Sequence, residues 1–305
     1  MIRKTTGVVT GAEGYIGTFL TSFLRSHGFN IYALTSREGQ FEGDQQLRRF
    51  SLSDGILTSE IPHFDFIVHL AYDFSDTSCP PQNNKNYVGT LKLFDECKRR
   101  GVTRIINMSS MSAGEFASSN YGKTKLAIEK TVWDSELYDS VLSIRPGIVH
   151  GGNTAGICGA IMNHIGKHRM IPIIANDSSK FHFCHIEDLA QLVVALISIP
   201  VFPTQTLIAA HEVGLSLKEV VRKYATAISV RPIFLPVPYE LILLGLQAFE
   251  LLNVKMSFRS DSLKSMKGMC LFEKHPVLTD LGVNFRPFTV ESLTESGAIE
   301  NSITQ

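Results

Sequence analysis

A tyrosine and a lysine four positions apart are the residues whose types and spacing most directly suggest chemistry. In Tyr121-Gly-Lys-Thr-Lys125 the two side chains fall on one face of a helix, one turn apart. A free phenol has a pKa of about 10, and a neighbouring ammonium favours its ionised form. The pair can therefore act as a general acid or base toward a hydroxyl or a carbonyl. The same spacing is common on ordinary helices, so other residues must support this interpretation.

A run of serines precedes the pair. Ser109-Ser110-Met111-Ser112 follows directly on a strand predicted for Arg104 to Met108. A hydroxyl at this strand end could orient the oxygen of a reacting carbonyl or alcohol. The serines therefore strengthen the prediction of acid–base chemistry at an oxygen-bearing carbon.

A glycine-rich turn near the N-terminus predicts a dinucleotide site. Thr10-Gly11-Ala12-Glu13-Gly14-Tyr15-Ile16-Gly17 lies between a predicted strand, Gly7 to Thr10, and a predicted amphipathic helix, Tyr15 to His27. The first glycine permits a tight turn, the second lets a pyrophosphate approach the backbone, and the third lets helix and strand pack closely. Any α/β protein can carry a glycine-rich turn, but here the strand, the spacing and the helix all favour a cofactor loop.

The end of the second predicted strand bears on the choice of cofactor. NAD sites generally place an acid there, which binds the ribose 2′-hydroxyl. This sequence has Ala33-Leu34-Thr35-Ser36-Arg37, and the Arg37 guanidinium could pair with a 2′-phosphate. We therefore expect NADP, and NAD if Arg37 is an ordinary solvated residue.

The elements that would position these residues alternate between strand and helix. Strands are predicted also for 31–34, 66–70 and 141–144, with helices ending at Arg100 and near Glu136. This alternation predicts an α/β fold, a Rossmann-type doubly wound parallel sheet with a smaller, mixed α/β C-terminal substrate region. The glycines from Gly147 to Gly159 predict a loop-rich crossing. We assign residues 1–150 to the NAD(P)-binding domain, with 181–210 returning to it, and 151–180 and 211–305 to the substrate-binding region.

The order of these motifs resembles the extended short-chain dehydrogenase/reductase family, in particular its NAD-dependent epimerase/dehydratase branch. Besides the glycine loop and the tyrosine–lysine pair, the resemblance includes Asn86-Tyr-Val-Gly-Thr90, Arg145-Pro-Gly147 and the segment from His185 to Ala190, which is similar to the family's "HVDDLA". It covers most of the chain. It also implies a possible homodimer through the helices near 86–100 and 121–136.

The resemblance assigns roles to single residues. Ser110 and Tyr121 match the catalytic hydroxyl and the acid/base, and Lys125 matches the lysine that holds the nicotinamide ribose and tunes the tyrosine. Ser112 and Ile148 are expected at the substrate. The residues expected to contact the cofactor are Gly11, Glu13, Gly14, Tyr15, Ile16, Gly17, Arg37, Leu70, Ala71, Asn86, Tyr121, Lys125 and Pro146.

The expected function is that of an NAD(P)-dependent oxidoreductase or epimerase acting on a carbonyl or secondary alcohol. The resemblance favours a nucleotide-activated sugar, through 4-keto reduction or epimerisation. Two positions depart from nucleotide-sugar members: Ile148 replaces an asparagine, and Phe181 replaces an arginine that grips the diphosphate. The alternatives are a reductase of a small non-nucleotide ketone and a non-catalytic dinucleotide-binding protein. A dinucleotide-binding protein without catalytic activity needs only the glycines, so the presence of Ser110, Tyr121 and Lys125 disfavours that alternative.

Composition excludes several other classes. The 305 residues include 44% hydrophobic ones and carry 29 basic and 29 acidic side chains, so we expect a globular protein without nucleic-acid or membrane partners. The apolar run from Leu241 to Leu252 is too short to span a bilayer and is expected in the core. The five cysteines contain no CxxC pair, which favours a reducing, cytoplasmic location. The histidines and cysteine at 182–185 match no zinc spacing, so no metal is expected.

Overall fold

A parallel sheet forms the centre of the molecule. The computed structural model describes residues 4–36, 46–135, 139–152, 156–252, 258–267 and 269–289. Its seven-stranded sheet has the order β10-β6-β5-β4-β1-β2-β3, and all neighbouring strands are parallel. The strands are β1 (Thr6–Thr10), β2 (Asn30–Thr35), β3 (Leu47–Arg49), β4 (Phe66–His69), β5 (Ile105–Met108), β6 (Val141–Pro146), β7 (Ile148–His150), β8 (Met170–Ile174), β9 (Phe183–His185), β10 (Thr206–Ala209) and β11 (Ile233–Val237).

Helices cover both faces of this sheet. Alternation along each strand sends Val9 and Val68 to one apolar core and Val8 and Ile67 to the other. Since both faces are covered, β1, β4 and β5 are buried along their whole length. The helices are α1 (Tyr15–Ser26), α2 (Lys85–Arg99), α3 (Asn120–Trp133), α4 (Gly156–Lys167), α5 (Ile186–Ser198), α6 (Leu217–Ala227), α7 (Tyr239–Leu251), α8 (Ser260–Lys267) and α9 (Pro276–Asp280), with a 3-10 turn at Pro81–Asn83.

A smaller part of the molecule has its own core, which includes Phe181, Tyr224 and Ile171. We call it the small part and define it as α4, β8, α6, β11, α7 and α8; the seven-stranded sheet with α1, α2, α3 and α5 is the Rossmann part. In the small part, β8 and β11 form a separate two-stranded parallel sheet. Another two-stranded sheet, β7 with β9, follows β6 directly. The α/β fold with a doubly wound parallel sheet is confirmed.

Three sequence expectations differ from the structure. Strand β3 was not predicted, because three residues are too short to show a hydrophobic period. Helix α4 occupies the second half of the glycine stretch that was expected to be loop, and includes Gly156 and Gly159. The apolar run 241–252 was expected in the core, yet α7 contains no buried residue. None of the helices in the described part of the chain has both the length and the apolar character needed to cross a bilayer.

Candidate active site

The glycine turn brings β1 and α1 into close contact. Gly11 has φ +66°, and a Cβ there would lie 2.8 Å from the Ala71 backbone. A Cβ on Gly17 would lie 2.1 Å from the Gly11 carbonyl oxygen, so only glycine allows this approach. Gly14 is the N-cap of α1, and no side chain caps this end. The first N–H groups of α1 can therefore bind a pyrophosphate, and the turn fits the dinucleotide expected from the sequence.

A buried threonine–histidine–threonine chain fixes the strand ends beside this turn. The backbone N–H groups of Leu70 and Ala71 donate to Thr10 Oγ1 at 3.1 and 3.2 Å. The same hydroxyl lies 2.7 Å from His69 Nδ1, and His69 Nε2 lies 2.9 Å from Thr90 Oγ1. Burial lowers the pKa of His69 to about 3, so the ring is neutral, with one nitrogen that donates and one that accepts. These hydrogen bonds were not predicted, because their only signal in the sequence is a histidine inside an apolar strand.

The predicted catalytic residues come together at the carboxyl end of β5. Ser110 follows this strand, and Tyr121 lies in the first turn of α3, whose N-cap Ser119 accepts from the Gly122 N–H at 2.9 Å. A Cβ on Gly122 would lie 2.3 Å from the Ser112 carbonyl oxygen, so α3 packs tightly against the serine loop. Ser110 and Tyr121 line the same cleft, and interaction with Ser110 acts to lower the pKa of the Tyr121 phenol. Two neighbouring hydroxyls of this kind can meet on one substrate oxygen.

Burial governs the protonation of this pair. Desolvation raises the pKa of Tyr121 to about 12, although the Ser110 hydrogen bond acts in the opposite direction. Desolvation also lowers the pKa of Lys125 to about 8, against the pull of Glu129. The Lys125 Nζ donates to the Met108 carbonyl at 2.7 Å and lies 5.9 Å from the centroid of the Tyr121 ring. The phenol is therefore protonated at neutral pH, which suits a proton donor.

A buried ion pair lies behind Lys125. Arg145 donates from Nε to both carboxylate oxygens of Glu129, each at 3.1 Å. Glu129 is one helical turn after Lys125 on α3, and its side chain is fully buried. Because little water screens this charge, Glu129 interacts strongly with Lys125 and favours its ammonium form.

Two aromatic rings that were not predicted from the sequence cover Tyr121. The Tyr72 ring meets the Tyr121 ring edge-on at 4.7 Å, and Phe74 stacks on it at 5.5 Å. Phe74 is exposed, whereas Tyr72 is partly buried below it. A substrate that reaches the Tyr121 hydroxyl must therefore pass an apolar, aromatic surface.

An acidic side chain from the glycine turn lies at the end of β2. The Thr35 hydroxyl hydrogen bonds with the carboxylate of Glu13, which comes from the glycine turn. Glu13 was expected to contact the cofactor, but its place at the end of β2 was not foreseen, because only residues of β2 itself were considered. Arg37, on which the expectation of NADP rests, lies outside the described residues.

The other predicted site residues divide into two groups. Asn86 is buried and holds the backbone of Asp73, accepting from its N–H at 2.6 Å and donating to its carbonyl at 2.9 Å. Ser112 is also buried and donates to Ser110 Oγ at 2.9 Å, so it supports that hydroxyl from behind. Ile148 packs against the core of the small part. The remaining predictions line one cleft of about 740 Å³: Gly11, Glu13, Gly14, Tyr15, Ile16, Gly17, Leu70, Ala71, Ser110, Tyr121, Lys125 and Pro146.

The parallel sheet, the glycine turn after β1 and the serine, tyrosine and lysine after β5 are the features by which the sequence resembled the extended short-chain dehydrogenase/reductase family. Residues 8–204 match the NAD dependent epimerase/dehydratase family, and the chain belongs to that family. This family membership confirms the prediction of an NAD(P)-dependent enzyme, while the preference for NADP expected from Arg37 stays a prediction.

Individual relatives are distant. The chain is 25% identical to a ceramide reductase of Caulobacter vibrioides over 245 residues, which cover 78% of this chain and 76% of the relative. It is 24% identical to the bovine decarboxylating sterol-4-alpha-carboxylate 3-dehydrogenase over 59% of this chain and 57% of that one. Its fold is similar to that of a UDP-glucuronic acid 4-epimerase from Bacillus cereus, solved with UDP-glucuronic acid and NAD, with a TM-score of 0.70, 16% identity and coverage of 97% and 99%.

Proposed function

We propose that the protein transfers a hydride between a nicotinamide cofactor and a carbonyl or secondary alcohol, with Tyr121 as the acid/base. The observation that carries this proposal is that Ser110, Tyr121 and Lys125 line the same cleft as the glycine turn. A protein that only binds a dinucleotide needs the turn, and it can use Lys125 to hold a ribose. It gains nothing from the two hydroxyls of Ser110 and Tyr121 in the same cleft, which suit acid–base chemistry.

Residues of the protein account for the proton transfer and for the orientation of the substrate oxygen. A bound nicotinamide would supply or accept the hydride at the substrate carbon. In the reductive direction Tyr121, protonated because of its raised pKa, donates its proton to the carbonyl oxygen. Ser110 hydrogen bonds with the same oxygen and orients it. The ammonium of Lys125 then stabilises the phenolate that remains, and Glu129 keeps that ammonium charged.

For the cofactor we propose NAD rather than NADP. The Glu13 carboxylate at the end of β2 can accept a hydrogen bond from a ribose 2′-hydroxyl and would repel a 2′-phosphate. The sequence argued for NADP from Arg37, and that prediction stays untested. Glu13 therefore favours NAD and Arg37 favours NADP, and substitutions at the two positions can show which residue decides the preference.

For the substrate we propose an apolar, lipid-like carbonyl compound or its alcohol. Phe181 is only 2% exposed and lies in the core of the small part, and Ile148 packs against the same core. Neither position offers a polar group to a diphosphate. Phe74 and Tyr72 add an aromatic surface beside Tyr121. The names of the two sequence relatives, ceramide reductase and sterol-4-alpha-carboxylate 3-dehydrogenase, both refer to lipids.

A nucleotide-activated sugar is the second candidate, as the sequence resemblance favoured. It is supported by the fold similarity to the Bacillus cereus epimerase, which was solved with such a sugar. Its reaction would be 4-keto reduction or epimerisation. In the epimerisation Tyr121 first removes and then returns the hydroxyl proton, and the cofactor is regenerated in each cycle.

A substrate panel distinguishes these candidates. The purified full chain is incubated with NADH or NADPH and with long-chain 3-ketones, 3-ketosteroids or 4-keto nucleotide sugars, and cofactor oxidation is followed by absorbance. UDP-glucose and UDP-glucuronic acid are tested for epimerisation by chromatography. Turnover of the apolar ketones alone supports the proposal, and turnover of the sugars alone overturns its substrate class. Tyr121→Phe provides the background rate for every substrate.

A further inference from the structure

Helix α7 presents apolar side chains to solvent along its whole length. Leu241, Leu244 and Leu251 are 59%, 60% and 84% exposed, and their spacing places them on one face. No residue of α7 is buried, although most of its residues are apolar. The polar residues Glu240, Gln247 and Glu250 lie on a neighbouring side of the helix, and Glu240 is exposed beside the leucines. The apolar side of such a helix normally faces a protein core or a membrane. Among the described residues, no core covers the apolar side of α7.

The strands that precede α7 continue this exposed surface. In the β8–β11 sheet, Met170 pairs with Ile233, and Leu235 is two residues further along β11. Paired and alternate residues share one side of a sheet, so these three lie on the same side. They are 63%, 60% and 51% exposed, while Ile171 points to the other side and is part of the core. We call β8, β11 and α7 together the apolar unit.

The surroundings of the apolar unit are basic. Residues 164–174 and 217–252 contain six Lys or Arg side chains and three acidic ones, although the whole chain is neutral. Arg169 and Arg231 are exposed at the start of β8 and just before β11. Lys218 and Arg222 place their charges 5.3 and 5.6 Å from the centroid of the Phe234 ring on β11.

The acids of this region are partly neutralised. Glu219 pairs with Lys180 at 2.7 Å. Glu250 accepts from the Ser260 hydroxyl at 2.7 Å and lies 3.5 Å from Arg259 Nε. An apolar surface with a cationic border is complementary to an anionic lipid surface, where acyl chains lie beneath negative headgroups.

We propose that the apolar unit docks on the surface of an anionic lipid bilayer. The leucines of α7 enter the boundary between headgroups and acyl chains, and the cations beside β8 and β11 contact the headgroups. A second copy of this chain is a poorer occupant, because a two-fold contact through the same patch brings Arg169 and Arg231 toward their own copies. A spanning mode is excluded for the described helices by their length.

This proposal goes beyond the proposed function and does not depend on it. A bilayer-docked enzyme can act on a lipid or on a water-soluble compound. The sequence argued against a membrane partner because the net charge is zero, but that sum averages over the chain and does not register a local basic region.

The test is co-sedimentation of the full chain with vesicles of phosphatidylcholine, with and without phosphatidylglycerol. We expect binding to the anionic vesicles that weakens with added salt. The double variant Leu244→Ser/Leu251→Ser should lower the partition coefficient by roughly tenfold per leucine. Arg169→Glu/Arg231→Glu should lower it by roughly fivefold per position. The matched controls are Val201→Ser, an equally exposed apolar residue outside the unit, and Lys274→Glu, and both should bind as the wild type does.

Three outcomes would overturn the proposal. The first is equal sedimentation of the wild type and the leucine variant, or none by either, while both still bind cofactor. The second is a wild-type dimer in sedimentation velocity that the leucine variant dissociates, without vesicle binding; this result assigns the unit to a second copy. The third is vesicle binding that appears only after removal of residues 290–305, which assigns the unit to that segment.

Discussion

The Rossmann part and the small part use apolar residues in different ways. In the Rossmann part, β1, β4 and β5 are buried from end to end, and α1 and α2 each have a buried face. In the small part, α7 has no buried residue, and the β8–β11 sheet buries only one side. Both parts are built from helices and parallel strands, so the difference lies in what each must contact.

The two parts differ in how rigidly they must hold their residues. The Rossmann part holds Gly11, Ala71 and Lys125 at fixed positions around the cleft, and such positions need packing on both faces of the sheet. The small part closes its own core but leaves apolar surface outside it. We infer that its surface is shaped by the substrate and by the bilayer rather than by the needs of folding.

The largest expected effect is on catalysis. Tyr121→Phe removes the proton donor but keeps the ring against Tyr72 and Phe74, so folding and cofactor affinity should change little. Turnover should fall by roughly 100- to 10,000-fold. Initial rates on the substrate identified by the panel measure this. The matched control is Tyr87→Phe, which removes a hydroxyl that contacts Thr131 outside the cleft and should retain full activity.

The second effect compares the two parts directly through leucine substitutions. Leu93 on α2 is fully buried, and Leu93→Ala should cost about 2–5 kcal/mol of unfolding free energy. Leu244 on α7 is exposed, and Leu244→Ala should change it by at most about 0.5 kcal/mol. Urea denaturation of both variants checks the pair. A large loss of unfolding free energy for Leu244→Ala would mean that α7 is part of a core. The two parts would then not differ in how they use apolar residues.

The third effect is a pH dependence that arises in the Rossmann part. Lys125 has a pKa of about 8 in the folded protein and about 10.4 when unfolded. Between these pH values the unfolded chain binds more protons at Lys125, so the contribution of Lys125 to stability rises with pH across this window. The raised pKa values of the buried thiols act in the opposite direction, and they cancel when the wild type is compared with a Lys125 variant. The gain from about pH 8 to pH 10 should be about 2–3 kcal/mol relative to Lys125→Met, which has no such group.

Urea denaturation at intervals across this window measures the gain. The window ends near pH 10 because the raised pKa of Tyr121 opposes the effect above it. Parallel stability curves for the wild type and Lys125→Met would show that burial does not disfavour the Lys125 charge. The stabilising role of that charge toward the phenolate would then need another explanation.

The smallest effect concerns cofactor preference. Glu13→Gln removes the carboxylate charge at the end of β2, and the ratio of kcat/KM for NADPH over NADH should rise by roughly tenfold, the equivalent of about 1.4 kcal/mol. Arg37→Ala should leave this ratio almost unchanged. A fall in the ratio for Arg37→Ala with no response to Glu13→Gln would instead support the sequence expectation of NADP.

The sequence predicted the Rossmann part well because its signals are local. Glycine spacing, strand alternation and the i, i+4 pair of Tyr121 and Lys125 each depend on a few neighbouring residues. The approach of Glu13 to Thr35 and the cover of Tyr121 by Tyr72 join residues more than 20 positions apart, which no local pattern reveals.

The apolar run of α7 was misplaced for a different reason. Most of its residues are apolar, so burial was the default expectation, although Glu240, Gln247 and Glu250 give the helix one polar side. The family pattern assigned Asn86 to the cofactor and Ser112 to the substrate. In the structure they hydrogen bond with Asp73 and Ser110, which are themselves in the cleft, and their ligand contacts stay predictions. These supporting hydrogen bonds join residues that no local sequence pattern connects.

The most direct test of the central claim follows the hydride itself. The full chain is given NADH deuterated at C4 of the nicotinamide, on each face in turn, together with the carbonyl substrate found by the panel. Mass spectrometry of the product should show deuterium at the carbinol carbon from one face only, and Tyr121→Phe should give the same label at a far lower rate. Product without deuterium from either face would contradict hydride transfer in the cleft of Ser110, Tyr121 and Lys125.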